Sequence, residues 1–405
     1  MDVKLQHHLW EGGEAIALRL PRRWRVKVLH MRGDDVDALD KDDYRKSLSA
    51  LGPLIKGKKE ICILFDDLTR PTRVYEVLPY LLEVLEGGGV RDEQVRFICA
   101  VGTHAALDGT GFRKKLGEEA LERFPVYNHN AYENCDNIGK TNLGTPVVVN
   151  REYLSCDVRI GIGSFQTHPL CGFGGGCKIV LPGVSHIDTV TYHHGTLGKK
   201  FGEAAKSGRR QDSPLLEDVR EYGRIARLDA KIDVLVNTRG EHVGLYAGPP
   251  EGVYAAMMEK ALHHYGTDVP GKADIVFANA YTKASEAGIA VRRAAELLKD
   301  AGGDVVVLCD IGAGQVVHYL LSRFGNTTWG RLASVRHGAV ARDSKVRRLF
   351  VFSRHKDLAG SVSFGEADSI IWVKDIDELI ERLDEDYKKR DPDVYILPDA
   401  TIQLV

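Results

Sequence analysis

The sequence predicts two α/β domains with largely parallel sheets and an active site in the cleft between them. Three observations carry that expectation. Short apolar, β-rich runs recur along the chain, and segments of helical periodicity fill several of the gaps between them. A turn-rich break near residue 266 separates two such series. The length of 405 residues agrees, since one ordinary core serves roughly 150 residues.

In the first series, 60-EICILFD-66, 95-VRFICAVG-102, 157-DVRIGIG-163 and 231-KIDVLVN-237 read as strands bounded by turn residues. Between the first two, Val74, Val77, Leu78, Leu81, Leu82 and Leu85 recur at helical spacing over 74–89, with Gly87 and its neighbours as the stop. Pro79 inside that pattern predicts a kink or a second start. A helical run at 251–265 leads to 266-GTDVPGK-272, whose turn formers make a linker. Beyond it the alternation is cleaner. Strands are expected at 273–279, 304–310, 348–353, 369–375 and 393–399, and helices at 285–303, 313–325 and 377–389. Strands apolar on both faces indicate a parallel sheet covered on both sides. The expected division is an N-terminal domain over 1–266, a linker over 267–272, a C-terminal domain over 273–392 closing the cleft, and a strand and tail over 393–405 returning to the N-terminal domain.

Composition narrows the function classes. With 43% hydrophobic and 28% charged residues the chain reads as a soluble globular protein, and a formal net charge of −2 offers no footprint for nucleic acid or an anionic membrane. The basic runs Arg209-Arg210 and Lys388-Lys389-Arg390 are short, have acidic neighbours, and read as solvated surface. The opening MDVKLQHHLWEGGEAIAL lacks a basic region followed by an apolar core, so no signal peptide is expected, and no apolar run approaches the ~20 residues that cross a bilayer. The seven cysteines form no C-x-x-C pair, which fits a reducing cytoplasm better than a disulfide framework.

The densest chemistry lies in 164-SFQTHPLCGFGGGCKIVLPGVSHIDTVTYHHG-195. Gly172, Gly174, Gly175 and Gly176 let backbone N–H groups approach a ligand closely and surround a phosphate, or else make a tight structural turn. Cys177 separates them from Lys178, and Ile179 stands where a P-loop has its hydroxyl. A Rossmann helix is excluded by Pro182-Gly183. Lys178, followed by three apolar residues, suits either a nucleophilic amine of lowered pKa or a phosphate counter-charge. His104 and His168 each follow a strand end, so parallel strands would turn both towards one crevice. His193-His194 offers a metal ligand, but a zinc site needs three or four, and His7-His8 and His263-His264 are pairs without evident purpose. His186 reads as surface. In 65-FDDLTRPT-72, Thr69 is a candidate cap and Pro71 a first helical residue. Arg70 suits a carboxylate or phosphate, with a bracing Asp67–Arg70 pair as the structural alternative.

Three pieces together, DDLTRP at 66–71, GTH at 102–104, and SFQTH…GFGGGCK…PG…H across 164–194, resemble the nickel-pincer-nucleotide-dependent 2-hydroxyacid racemase and epimerase family. The resemblance runs from about residue 10 to ILPD at 396–399 and is strongest in the first domain. It implies an isomerase whose cofactor, the nickel-pincer nucleotide (a pyridinium-3,5-bisthiocarboxylic acid mononucleotide), grips nickel between two sulfur arms. By that resemblance Lys178 matches a lysine that joins the cofactor covalently in some members, and His194 the nickel ligand. His104 and His168 match a pair of acid/base residues. Asp67, Thr69, Arg70, Gly174, Gly175 and Gly176 lie beside the cofactor, with Arg70 also on the substrate carboxylate. The implied chemistry is hydride removal from C2 while one histidine takes the hydroxyl proton, then return of both on the other face.

Two departures stand out. The family's Tyr-Gln-x-x-Lys, which faces the substrate, is met here by 288-GIAVR-292, so two polar side chains are lost while Arg292 keeps a cation. A larger hydroxy acid or a sugar acid is therefore expected rather than lactate, with Lys283 and Arg292 contacting a second carboxylate or hydroxyls. Ala105 replaces an arginine common after the GTH motif. Implied partners are a small 2-hydroxy acid and the cofactor-synthesis proteins, without nucleic acid or membrane; an oligomer is admitted. Two alternatives come from other classes: a hydrolase binding zinc or iron through His104, His168 and His194, and a non-catalytic organic-acid-binding protein anchored by Arg70.

Overall fold

The structure is a computed structural model that describes residues 1–168, 171–201, 213–316, 343–358 and 360–405. Two six-stranded sheets organise it. The first has the order His242–Gly248, Ala230–Val236, Val158–Ser164, Ile61–Phe65, Val95–Cys99 and Val126–Asn128, parallel throughout except for the antiparallel edge strand His242–Gly248. The second has the order Ile370–Val373, Val346–Phe352, Gly303–Leu308, Ile275–Asn279, Asp393–Leu397 and Arg25–Val28, and every pairing is parallel. The mixed α/β class with large parallel sheets is therefore the one the apolar runs indicated. Full burial of Ile61–Phe65, Ala230–Val236, Ile275–Asn279 and Gly303–Leu308 explains why these runs lack polar alternation.

Strand order creates the site. In the first sheet the chain runs from Ile61–Phe65 outwards to Val126–Asn128, then returns to Val158–Ser164 on the other side of Ile61–Phe65. In the second it runs outwards from Ile275–Asn279 to Ile370–Val373, then returns to Asp393–Leu397 on the other side of Ile275–Asn279. Each reversal opens a crevice at the strands' carboxyl ends, where open α/β sheets bind ligands. The segments leaving those ends are 66–72 and 165–168 in the first sheet, and 280–286 in the second.

Both ends of the chain pack with the second sheet. Arg25–Val28 is its edge, and Asp393–Leu397 lies between that edge and Ile275–Asn279. The last residues then cross back. Ile402 is buried in the first sheet's core, and Leu404 bonds through its backbone with Tyr265 and Thr267.

Several element limits differ from the sequence expectation. The first long helix runs from Val74 to Gly87 without restarting at Pro79, because its buried face of Val77, Leu78, Leu81, Leu82 and Leu85 outweighs one lost ladder bond. It begins after Arg73, so Thr69 caps nothing and Pro71 is not its first residue. The helix expected over 285–303 spans Gly288–Ala295, because Leu297 and Lys299 turn away to bond the backbone of Ala273. Of the helix expected at 313–325, residues 317–325 lie outside the described residues and 313–316 are not helical; Arg209-Arg210 also lie outside them. Among the described residues, no helix is long and apolar enough to cross a membrane.

Candidate active site

Residues 66–72 leave the buried strand Ile61–Phe65 and are held from below by a buried lysine. Lys115 Nζ, with none of its side chain exposed, donates to Asp66 Oδ1 at 2.7 Å and to the carbonyls of Arg70 and Thr72 at 2.9 and 3.0 Å. Asp66 Oδ2 accepts from the Thr72 hydroxyl at 2.5 Å and the Ser164 N–H at 3.2 Å, tying this loop to the neighbouring strand. With the loop fixed, Asp67 Oδ1 takes the Thr69 N–H and hydroxyl while Oδ2 lies 2.6 Å from His104 Nδ1. Burial alone would raise the Asp67 carboxyl, but His104 foremost, with Arg70 and Thr69, holds it well below the usual carboxylate range. An ionised carboxylate can only accept, so His104 Nδ1 donates and the neutral ring carries its lone pair on Nε2. Asp67 and Arg70 thus do not form the bracing pair: one orients His104, and the guanidinium goes elsewhere.

The glycine loop closes the other side. His168 sits in a two-residue ladder against Gly172–Phe173, and its Nδ1 accepts the Cys171 N–H at 3.3 Å, which puts the neutral ring's proton on Nε2. Burial, then the positive charges of Lys178, Arg70 and Lys283, hold His168 well below the ordinary histidine pKa. Gly175 has φ +84°, and a Cβ there would lie 2.6 Å from Phe165 Cδ2 and 2.9 Å from Asp233 Oδ2. The Gly176 N–H donates to Asp233 Oδ2 at 2.8 Å, while Asp233 Oδ1 takes Lys231 Nζ at 2.5 Å, both side chains being buried. Lys178 follows in a short 3₁₀ turn. Its Nζ is buried with no hydrogen-bond partner among the described residues, and burial lowers its pKa. A desolvated amine of this kind is a nucleophile or awaits a ligand.

A π-helical turn over Thr191–Leu197 separates the two adjacent histidines. His193 is fully buried against the Leu215 carbonyl and Asp218, and burial brings it down to about 4, whereas His194 faces the cavity.

The second sheet supplies the opposite wall. Lys283 Nζ and Arg70 Nη1 both meet Glu286 Oε2, at 2.6 and 2.8 Å, joining the two sheets' loops through one carboxylate. Burial brings Lys283 down to about 8 even beside that carboxylate. Burial would raise Glu286, but Arg70 and Lys283 hold it well below its usual range. Every hydrogen bond that Arg70 donates from its side chain among the described residues uses Nη1, which leaves Nη2 and Nε for a ligand. Arg292 lines the same cavity with its side chain open to solvent. Gly288 adds no space: a Cβ there would lie 2.3 Å from the Ser363 carbonyl oxygen, so a backbone fills the volume that a side chain would occupy.

One cavity of about 370 Å³ is lined by Asp67, Thr69, Arg70, His104, His168, Gly174, Gly175, Lys178, His194, Lys283 and Arg292. Gly172 and Gly176 of the glycine loop and His193 lie outside the lining, Gly176 holding the loop on Asp233. Sequence reasoning missed Lys115, Lys231, Asp233 and Glu286. The i, i+3 spacing of Lys283 and Glu286 was a legible signal, but nothing local marked the others. His104, His168 and His194 do not gather as one metal site. Among the described residues, the group of three that brings ligand atoms within 4.8 Å is His7, His8 and Asp310, away from the cavity lining, and Arg354 already pairs with Asp310. That geometry does not favour the three-histidine hydrolase.

Residues 12–205 match the lactate racemase N-terminal domain. Lactate racemase of Thermoanaerobacterium thermosaccharolyticum is 27% identical over 250 residues, covering 59% of this chain and 58% of that protein. Lactate racemase of Lactiplantibacillus plantarum is 27% identical over 207 residues, covering 50% and 48%. The matched stretch thus spans between about half and three-fifths of these relatives. The solved apoprotein of the T. thermosaccharolyticum lactate racemase superposes over 100% of both chains with a TM-score of 0.74 at 19% identity. A Thermotoga maritima protein superposes over 90% of this chain and 98% of its own with 0.65 at 17%, a likeness of fold.

Proposed function

The chain belongs to the lactate racemase family through its first half, and on that premise we propose that it is a racemase or epimerase inverting C2 of a 2-hydroxy acid. The observation that carries the reading is the convergence of His104, His168, Lys178, His194 and Arg70 on one cavity, with the Lys178 amine buried and unpartnered among the described residues. A buried lone amine, an imidazole and a glycine loop suit the nickel-pincer nucleotide. Lys178 would be its covalent tether, His194 its nickel ligand, and Gly174 and Gly175 its phosphate contacts. When bound, that group supplies the acceptor and donor of hydride at C2.

The residues of the chain do the rest. Arg70 holds the substrate carboxylate through Nη2 and Nε, a bidentate edge that keeps the acid oriented while the reacting carbon turns. His104 presents the Nε2 lone pair, with Asp67 fixing the tautomer, and takes the hydroxyl proton from one enantiomer. His168 is its opposite and returns a proton to the carbonyl oxygen on the other face from its protonated form, since a neutral imidazole N–H is too weak an acid to give one. His104 is then left protonated and His168 neutral, and turnover of the other enantiomer or proton exchange with solvent restores the starting pair. The lowered pKa of His168 makes its protonated form the stronger acid for that delivery. Loss of two polar side chains at Gly288 and Ile289 supports a substrate other than lactate. The reading also carries a cytoplasmic location and the division at 266–272 as proposals.

The test is elemental analysis and intact mass of the protein expressed beside the cofactor-synthesis proteins. Nickel near one per chain, lost in His194→Ala, and a mass adduct lost in Lys178→Ala are expected. Bound zinc without a nucleotide would overturn the reading.

A further inference from the structure

Glu286 has two carboxylate oxygens in different situations. Oε2 accepts both Arg70 Nη1 and Lys283 Nζ, whereas Oε1 meets no donor among the described residues. Oε1 is also not sealed in protein, since Glu286 lines the cavity. Lys283 Nζ has three N–H bonds and gives one to Glu286, so a donor and an acceptor stand side by side on the wall opposite His104 and His168. A donor–acceptor pair of that kind matches a hydroxyl, which gives one hydrogen bond and takes another. It does not match a carboxylate, which can only accept.

Charge points the same way. Arg70 and Lys283 carry two positive charges and Glu286 one negative, so the cluster has one unmatched positive charge. One ligand carboxylate on Arg70 Nη2 and Nε balances it. A second carboxylate set against Lys283 would lie beside Oε1, a repulsion that costs binding rather than adding to it. Arg292 lines the same cavity within electrostatic reach of Glu286, so the selection acts at Oε1 itself rather than through the net charge of the cavity.

We propose that Glu286 sets the substrate class, so that the cavity takes a 2-hydroxy acid with one carboxylate and further chain hydroxyls, as in an aldonic acid, and rejects dicarboxylates. Arg70 takes the carboxylate, and Lys283 with Glu286 Oε1 takes a chain hydroxyl. The inference rests on the 2-hydroxy acid reading of the cavity, and it deepens that reading by naming the acid's chemistry.

The experiment is calorimetric binding of gluconate, malate and lactate to the cofactor-loaded protein, with C2 inversion of each followed in parallel. Wild type is expected to bind gluconate at least tenfold more tightly than malate, and more tightly than lactate. Glu286→Gln removes the negative charge at nearly constant volume, and the gluconate-to-malate ratio should fall at least tenfold through tighter malate binding. Glu286→Asp keeps the charge and should keep the preference against malate. It decides the matter together with wild type if Glu286→Gln does not fold. Equal or tighter malate binding in wild type, or an unmoved ratio in a folded Glu286→Gln, would overturn this inference while leaving the racemase reading intact. Neither binding nor inversion of any of the three acids by the nickel-loaded protein would overturn both.

Discussion

Removing the Lys115 amine should loosen the loop that carries Asp67 and Arg70 more than any surface change nearby. Lys115→Met keeps most of the aliphatic volume but deletes the Nζ that lies 2.7 Å from Asp66 Oδ1 and serves the carbonyls of Arg70 and Thr72. Breaking a buried ion pair from one side costs about 3–5 kcal/mol, because the partner charge stays buried without compensation. Asp66 keeps the Thr72 hydroxyl and the Ser164 N–H, which places the expected loss near the lower end of that range, about 3 kcal/mol. Two carbonyls also lose a donor, each a smaller effect that does not simply add. Guanidinium unfolding followed by circular dichroism measures it as a lower midpoint at constant slope. The double variant Asp66→Asn/Lys115→Met removes both charges and should recover most of the loss. A cost below about 1 kcal/mol for Lys115→Met alone would refute the idea that this pair braces the loop.

Asp67→Asn leaves shape intact but removes the acceptor that fixes the His104 tautomer, so turnover should fall by about 10²- to 10⁴-fold with nickel content unchanged, as steady-state kinetics beside elemental analysis would report. His129, buried between the Ser185 carbonyl and Asn150, is brought down to about 4 by burial. Its folded pKa lies below the unfolded value near 6.5, so its contribution is complete above that value and is lost as pH falls towards 4. That amounts to about 3 kcal/mol over the window, and His129→Gln should flatten the measured dependence of stability on pH. Gly288→Ala places a Cβ 2.3 Å from the Ser363 oxygen and should destabilise the fold by about 1–3 kcal/mol, visible in a thermal melt.

What was legible in the sequence followed from local rules. Fully apolar strands announced parallel sheets, and strand ends announced His104, His168 and Arg70, because a crevice forms wherever strand order reverses. The helix expected over 285–303 failed because its amphipathic pattern continues past Ala295, while backbone bonds to Ala273 draw Leu297 and Lys299 out of it. Lys115 and Lys231 were invisible for another reason. A buried lysine looks like any surface lysine until its carboxylate partner, 49 residues away for Asp66 and two away for Asp233, is seen beside it. The gap at Gly288 misled in the opposite direction: loss of a side chain suggested room, and the Ser363 backbone takes it. The resemblance chose His194 over His193 by its interval alone, and the π-helical turn points the His193 ring into the core and the His194 ring into the cavity.

Inversion at C2 by the histidine pair is the centre of this account, and chiral chromatography of a single-enantiomer 2-hydroxy acid, incubated with nickel-loaded protein, tests it most directly. Wild type should carry the acid to a mixture of both configurations, while His104→Ala and His168→Ala each lose turnover by at least about 10²-fold and retain their nickel. A nickel-loaded wild type that leaves the enantiomer unchanged, or either variant turning over at the wild-type rate, would contradict it.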